Sequence, residues 1–189
     1  MKEPDNKTLV VLQPGYIPWL GFFDQLCKSD IFVIYDDVQF DKHGWRNRNR
    51  IKTANGLQWL TVPVFNKGKS KQLILDVEID NKTDWAKKHL ETIKQAYAKA
   101  LYIKEYLPEL EDLLFGDWKY LAELDVAMIK LICKWLNIER KIIYSSELNI
   151  FGDKNEKILN LCQHLNCKYY LTGDKAKNYL ETELFIKNG

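Results

Sequence analysis

The sequence lacks an apolar run long enough to cross a bilayer. Its first residues, MKEPDNKTLVVL, carry acids and amides where a secretion signal needs an apolar core. A cytoplasmic protein without a membrane partner is therefore expected. Four cysteines occur, Cys27, Cys133, Cys162 and Cys167, but none forms a C-x-x-C pair and no histidine stands beside them at zinc-ligand spacing. Reduced, packed thiols are expected, and no metal site. Net charge is only +2, from 28 basic and 26 acidic residues, which lacks the strong basic excess of a dedicated DNA binder. Neither a G-x-G-x-x-G nor a P-loop signature occurs, and there are no repeats or low-complexity tracts.

What is present is local. Residues 43–52 read HGWRNRNRIK, placing Arg46, Arg48, Arg50 and Lys52 at every second position. Successive side chains of a strand point to opposite faces, so an extended stretch collects these cations on one side and Asn47, Asn49 and Ile51 on the other. The following ANG at 54–56 and LQWLTVPV at 57–64 give the Asn-Gly signal of a hairpin, which predicts one over about 47–64.

Elsewhere the pattern alternates. TLVVL at 8–12 and IFVIY at 31–35 are runs suited to buried parallel strands. LGFFDQLCK at 20–28 fits an amphipathic helix between them, giving a βαβ unit. A further strand is expected at 73–79, and helices at 83–99, with Asn81 or Thr83 as cap, at 103–115 and at 118–136. Pro108 is expected near a first turn or a kink. KIIY at 141–144 and KYYL at 168–171 read as strands, 155–164 and 176–185 as helices. The pattern predicts a three-layer α/β fold with a mainly parallel, Rossmann-like sheet. It is taken as one domain over 1–189, with a β-hairpin insertion at 41–80 and a helical block at 83–136.

In such sheets ligands bind beyond the carboxyl ends of the strands. The loop 13–19 enters a helix N-terminus between two prolines that shape Tyr16, so Gln13, Tyr16 and Trp19 are candidate contacts for a base or sugar. A rigid connector packing its aromatics is the structural alternative. Asp36, Asp37 and Gln39 follow the second strand; Asp37 with Gln39 shares a face and suits a general base, against a plain Asp turn. The arginines match phosphate geometry, against a solvated hairpin face. The asparagines decide for use, since Asn is a poor strand former. Among the histidines, His43 beside the stripe suits acid–base work, whereas His89 reads as packing and His164 as a helix-end residue. Thr172 and Gly173 follow the last strand, where Asp174 also suits a simple helix cap.

LQPGYIPWLGFFDQL and DIFVIYDDVQFDKHGWRNRNRIKTANGLQWLTVPV, with WAKKHLETIKQAYAKA and YYLTGDKAKNYLETELF further on, resemble the WbqC-like family. The resemblance runs over nearly the whole chain. Family members continue with a His-Pro, Tyr, Gln and Leu-Ser-x-x-Asp segment, whereas this sequence ends at Gly189. The resemblance thus implies either a short member or a shortened chain. It also implies a bacterial setting among genes for O-antigen and related surface glycans, and a role in attaching an acyl group, such as glycyl, to an amino sugar.

The strand and P-x-x-x-P-x-x-G loop are also similar to the opening of nucleotidyltransferase-like folds, although the H-x-G-H signature of those folds is replaced by Y-I-P-W-L-G. The function expected is an acyl or aminoacyl transferase acting on the amine of a nucleotide-linked amino sugar. Arg48, with Arg46 or Arg50, would hold the diphosphate, Tyr16 and Trp19 would stack on base or sugar, and Asp37 or His43 would take the amine proton. Gln13, Gln39, Asn47, Asn49, Thr172 and Gly173 complete the expected binding set. The donor is open among an acyl-adenylate, a thioester and an aminoacyl-tRNA, so tRNA stays open as a partner beside other glycan-assembly enzymes. The rival expectations are a non-catalytic sugar-nucleotide binding module and an ATP-dependent ligase.

Overall fold

TLVVL at Thr8–Leu12 forms strand β1, whose three middle residues are buried. Helix α1 spans Leu20–Lys28 and strand β2, fully buried, spans Ile31–Ile34. Strands β3 (Arg48–Thr53) and β4 (Gly56–Thr61) follow. Helices α2 (Trp85–Ala96), α3 (Ile103–Leu114) and α4 (Leu121–Trp135) come next. The chain closes with strand β5 (Lys141–Tyr144), one-turn helix α5 (Ser145–Leu148), helix α6 (Lys154–His164), strand β6 (Tyr169–Tyr170) and helix α7 (Thr182–Lys187). The computed structural model describes residues 6–69 and 71–189. The protein is α/β, with a four-stranded parallel sheet, a separate antiparallel hairpin and a helical block. No helix among the described residues is long and apolar enough to cross a membrane.

The chain divides into two compact units. The first holds the chain through Gln13, Trp19–Tyr35 and Glu139–Gly189. Its sheet has the order β5-β2-β1-β6, with every neighbouring pair parallel. The strand period sorts its side chains. Leu9, Val11, Ile31 and Val33 pack with Ile158 and Leu161 of α6. Phe32 meets the edge of Phe22 from α1, with ring centroids 5.2 Å apart. Burying each such side chain contributes about 1.5–3 kcal/mol, which is why continuous apolar runs settle in the two central strands.

The second unit holds Pro14–Pro18 and Asp36–Ile138. Its core gathers Tyr16, Ile51, Leu60 and Val62 with Trp85, Leu90 and Ile93 of α2 and Leu121, Leu124 and Met128 of α4. The stretch expected to be a strand at 73–79 is instead a 3-10 turn, Ile74–Asp76, flanked by single bridges Gln39 to Leu73, Val64 to Ile79 and Glu78 to Tyr120. Ile74 and Val77, three residues apart, are both fully buried, a spacing that a strand would send to opposite faces. Helix α2 begins at Trp85, and neither Thr83 nor Asn81 caps it. The Asn81 amide instead accepts from Trp85 Nε1 at 3.1 Å and donates to the Trp118 carbonyl at 2.9 Å. Pro108 stands inside α3, where it forgoes one backbone donor.

In the first unit the helix expected at 176–185 is broken into a 3-10 turn, Asp174–Asn178, and α7. Asn155 causes the break by capturing the intervening backbone: its Nδ2 donates to the Tyr179 carbonyl at 3.2 Å, and its Oδ1 accepts from the Glu181 amide at 3.3 Å. Helices α4 and α6 end alike. Asn137 and Asn166 adopt left-handed conformations, with φ of 53° and 52°. The next amides, of Ile138 and Cys167, then donate back to the carbonyls of Cys133 and Cys162 at 2.9 and 2.8 Å. This end motif favours an apolar contact between the residues it joins, which accounts for three buried cysteines as packing groups.

Candidate functional site

Strands β3 and β4 pair antiparallel from Arg48 opposite Thr61 to Thr53 opposite Gly56, which turns the chain at φ 103°. The alternation separates the two faces of the hairpin. Ile51 and Leu60 are buried on the inner face. There Asn47 Nδ2 donates to the Val62 carbonyl at 2.8 Å, and Asn49 Nδ2 donates to the Ile17 carbonyl at 2.6 Å. The interleaved asparagines are thus ties to backbone, which explains their presence beside a strand that disfavours them. Arg48, Arg50 and Lys52 share the outer face with Trp59. Arg46 departs from the expected stripe. It precedes β3 and is half-buried; Nη1 donates to the Pro14 carbonyl at 3.1 Å, and burial lowers its pKa from the usual guanidinium value.

The outer face is an aromatic and cationic platform. The rings of Trp45 and Trp59 lie 4.9 Å apart. Arg48 stands over Trp59 at 4.8 Å, and Arg50 stands over Trp45 at 5.0 Å and Trp59 at 5.2 Å. Arg48 also donates from Nε to the Gly44 carbonyl at 3.2 Å and from Nη2 to the His43 carbonyl at 2.7 Å. Trp45 and Trp59 remain 44% and 43% exposed. Neither tryptophan was singled out by sequence reasoning, although Trp59 falls opposite Arg50 once the Asn-Gly turn sets the register.

Next to this platform in the chain, Gln39, Asp41, Lys42, His43, Lys67 and Lys69 help line a cleft of about 820 Å³. Of the expected residues, Gln39 and His43 belong to it, while the half-buried Asp37 is not part of its walls. The His43 backbone amide donates to Asp41 Oδ1 at 2.9 Å, fixing the turn and leaving the imidazole exposed. Lys69 pairs weakly with Glu78 at 3.4 Å.

Beneath the hairpin lies a buried polar cluster. Tyr16 is 0% exposed, so it presents no free ring for a base or sugar to stack on. Its hydroxyl and His89 Nδ1 share a hydrogen bond of 2.9 Å, and Trp85 closes over both rings at 6.5 and 5.5 Å. Burial lowers the His89 pKa to about 4, against a hydrogen bond to the Thr61 backbone that favours the charged form. Burial likewise raises the Tyr16 hydroxyl, and the Asp125 carboxylate adds to this.

Asp125 of α4 is 0% exposed, and neither carboxyl oxygen has a hydrogen-bond partner among the described residues. Burial holds its pKa well above the usual carboxylate range, and the Arg46 charge opposes this. Sequence reasoning missed Asp125, yet a signal existed: it lies four residues after Leu121 and three before Met128, on the apolar stripe of α4. The loop over this cluster is strained. Ile17, β-branched, has φ 46°, a left-handed conformation that side chains of its kind avoid. Gly15 lets the chain pass close to Trp45, since a Cβ there would stand 3.1 Å from the Trp45 carbonyl oxygen, a tight contact.

The remaining expected residues belong to the first unit. Gln13 follows β1, and Thr172 and Gly173 follow β6, the strand beside it, so the three lie at the carboxyl edge of adjacent strands. Thr172 hydrogen-bonds the Tyr170 hydroxyl, partly offsetting the burial that pushes that group up to about 12. A Cβ at Gly173 would stand 3.8 Å from Gln25 Nε2, which donates to the Gly21 carbonyl. Gln25 Oε1 is buried without a partner among the described residues. Trp19 is exposed and meets Phe22 edge-on at 6.0 Å. Among the described residues no group of three or more His, Cys, Asp or Glu is placed to hold a metal.

The match to the WbqC-like protein family covers residues 13–189, which include the whole of the hairpin, the cleft and the buried cluster. The chain belongs to the WbqC-like protein family. It is 38% identical over 180 residues to the uncharacterized protein Rv1507c of Mycobacterium tuberculosis (strain ATCC 25618 / H37Rv), across 95% of this chain and 78% of the relative. No solved structure matches the chain. In this WbqC-like chain the exposed polar chemistry of the second unit therefore centres on the outer hairpin face and the cleft, while Tyr16, Arg46 and Asp125 are interior groups.

Proposed function

We propose that the protein is a cytoplasmic transferase of bacterial surface-glycan assembly that places an acyl or aminoacyl group, such as glycyl, on the amine of a nucleotide-linked amino sugar. The observation that carries this reading is the cleft, where Gln39 and His43 meet Lys42, Lys67 and Lys69 in about 820 Å³. A cleft of that size accommodates a small-molecule ligand. Its lysines suit an anionic diphosphate, and an exposed imidazole suits a proton acceptor. Family membership supplies the setting.

In the reaction the sugar nitrogen attacks the acyl carbonyl of an activated donor, an acyl-adenylate, a thioester or an aminoacyl-tRNA. The C–N bond forms, the bond to the donor's leaving oxygen or sulfur breaks, and the amine proton passes to His43. Asp37 remains the second candidate base. The parallel sheet is taken as the centre of a three-layer, Rossmann-like, nucleotidyltransferase-like fold. Gln13, Trp19, Thr172 and Gly173, in the first unit, remain candidate binding residues at its carboxyl edge.

The test is turnover. The protein is incubated with UDP- and dTDP-amino sugars and each donor class, and N-acylated product is read by mass spectrometry. Product is expected with one donor class, and His43→Ala is expected to lower its rate by about 10²-fold or more while amino-sugar nucleotide binding persists. Binding without product from any donor would leave a binding module, and ATP-dependent pyrophosphate release would indicate a ligase. Full turnover by His43→Ala moves the base elsewhere.

A further inference from the structure

The two outer-face arginines differ. Arg48 spends Nε and Nη2 on the carbonyls of Gly44 and His43. Arg50 Cζ lies over the Trp45 and Trp59 rings, 5.0 and 5.2 Å from their centroids, and its guanidinium makes no hydrogen bond or ion pair among the described residues. A guanidinium held over ring faces with its N–H donors unpartnered keeps its fork available, and that fork matches the oxygens of a phosphate. Both tryptophans are nearly half exposed, so ring surface remains for a further planar group.

A ladder built only for stability satisfies its own donors, as Arg48 does. The opposite face of the hairpin is locked by Asn47, Asn49, Ile51 and Leu60, which holds the platform rigid. Arg48 also links the Trp59 ring to the His43 carbonyl, so the platform adjoins the wall of the cleft.

We propose that the outer face of the β3–β4 hairpin binds the nucleoside monophosphate end of the substrate, with the base on Trp45 and Trp59 and the phosphate on the Arg50 fork. This rests on the reading of a nucleotide-linked substrate and adds which end of it the hairpin takes. Trp45 and Trp59 would supply stacking common to every base, so selection among bases is expected to be weak.

The experiment titrates UMP, dTMP and GMP, and separately inorganic phosphate, into the full chain, with affinity read by calorimetry and base contact by ligand-observed NMR. Wild type is expected to bind the monophosphates more tightly than phosphate. Arg50→Ala is expected to weaken them by roughly tenfold or more, the loss of one charge-assisted contact. Arg50→Lys is expected to fall between the two, and Trp59→Leu to lose the NMR contact to the base. Unchanged melting temperatures for the Arg50 variants show that the fold is intact.

Equal monophosphate affinity in wild type and Arg50→Ala overturns the platform. So does an absence of monophosphate binding by a wild type that still binds amino-sugar nucleotides, and in both cases the transferase reading stands. Wild type that binds monophosphates through Arg50 but acylates no amino sugar keeps the platform and removes the transferase.

Discussion

The Tyr16 hydroxyl and His89 Nδ1 share a hydrogen bond of 2.9 Å inside a buried ring cluster. A neutral imidazole satisfies this bond, and burial lowers the His89 pKa to about 4. In the unfolded chain histidine titrates near 6.5. Between those values the unfolded chain binds the proton and the folded chain does not. Stability from neutral His89 is therefore complete above about pH 6.5 and lost as the pH falls toward 4, by about 3 kcal/mol. His89→Gln keeps a polar group and removes the titration. The expected outcome is a smaller drop in unfolding free energy from pH 7 to pH 4.5 than in wild type, measured in urea. Equal drops in the two proteins would sink the assignment.

Asp125 gives the opposite slope. Its folded pKa is raised by burial, so the folded chain holds a proton that the unfolded chain has lost above the ordinary carboxylate value. Stability from neutral Asp125 is present below that ordinary value and declines as the pH rises through the raised one. Asp125→Asn makes the neutral state permanent. Relative to wild type, the variant is expected to gain stability from pH 4 to pH 8. Guanidinium unfolding at a series of pH values checks this, and parallel curves for the two proteins count against it.

Asn49 ties β3 to the strained carbonyl of Ile17, and Asn47 ties its own segment to Val62. Replacing either with Ala leaves a carbonyl without its donor, at about 1–3 kcal/mol each. Asn47→Ala is expected to stand at the upper end, because its bond is buried, whereas Asn49→Ala lets Ile17 leave φ 46° and the strain relieved offsets part of the cost. Thermal and chemical unfolding compare the two variants, and a change below about 0.5 kcal/mol for both refutes the tie.

Much of the architecture was legible in the residues. TLVVL and IFVIY read as buried strands and ANG as a hairpin turn, because local chemistry allows few alternatives. The stretch 73–79 was not legible. LILDVEI alternates like a strand, but Ile74 and Val77 both found interior positions, and burial outweighed propensity. The break before α7 was equally hidden, since its cause, Asn155, lies more than twenty residues away.

The candidate site divides the same way. The alternation of HGWRNRNRIK placed Arg48, Arg50 and Lys52 on one face and Asn49 on the other, because strand parity is a property of the backbone; that Asn49 would tie to the Ile17 carbonyl was not legible. Parity could not say that Arg46 would turn inward, that Tyr16 would be sealed against His89, or that Trp45 and Trp59 would flank the arginines. Those outcomes depend on residues far apart in the chain competing for the same buried space. The sequence by itself determined the strands, the turn and the alternation of cation and amide. Only the tertiary structure decided which of those charged and aromatic groups face solvent, since burial is a property of the packed whole.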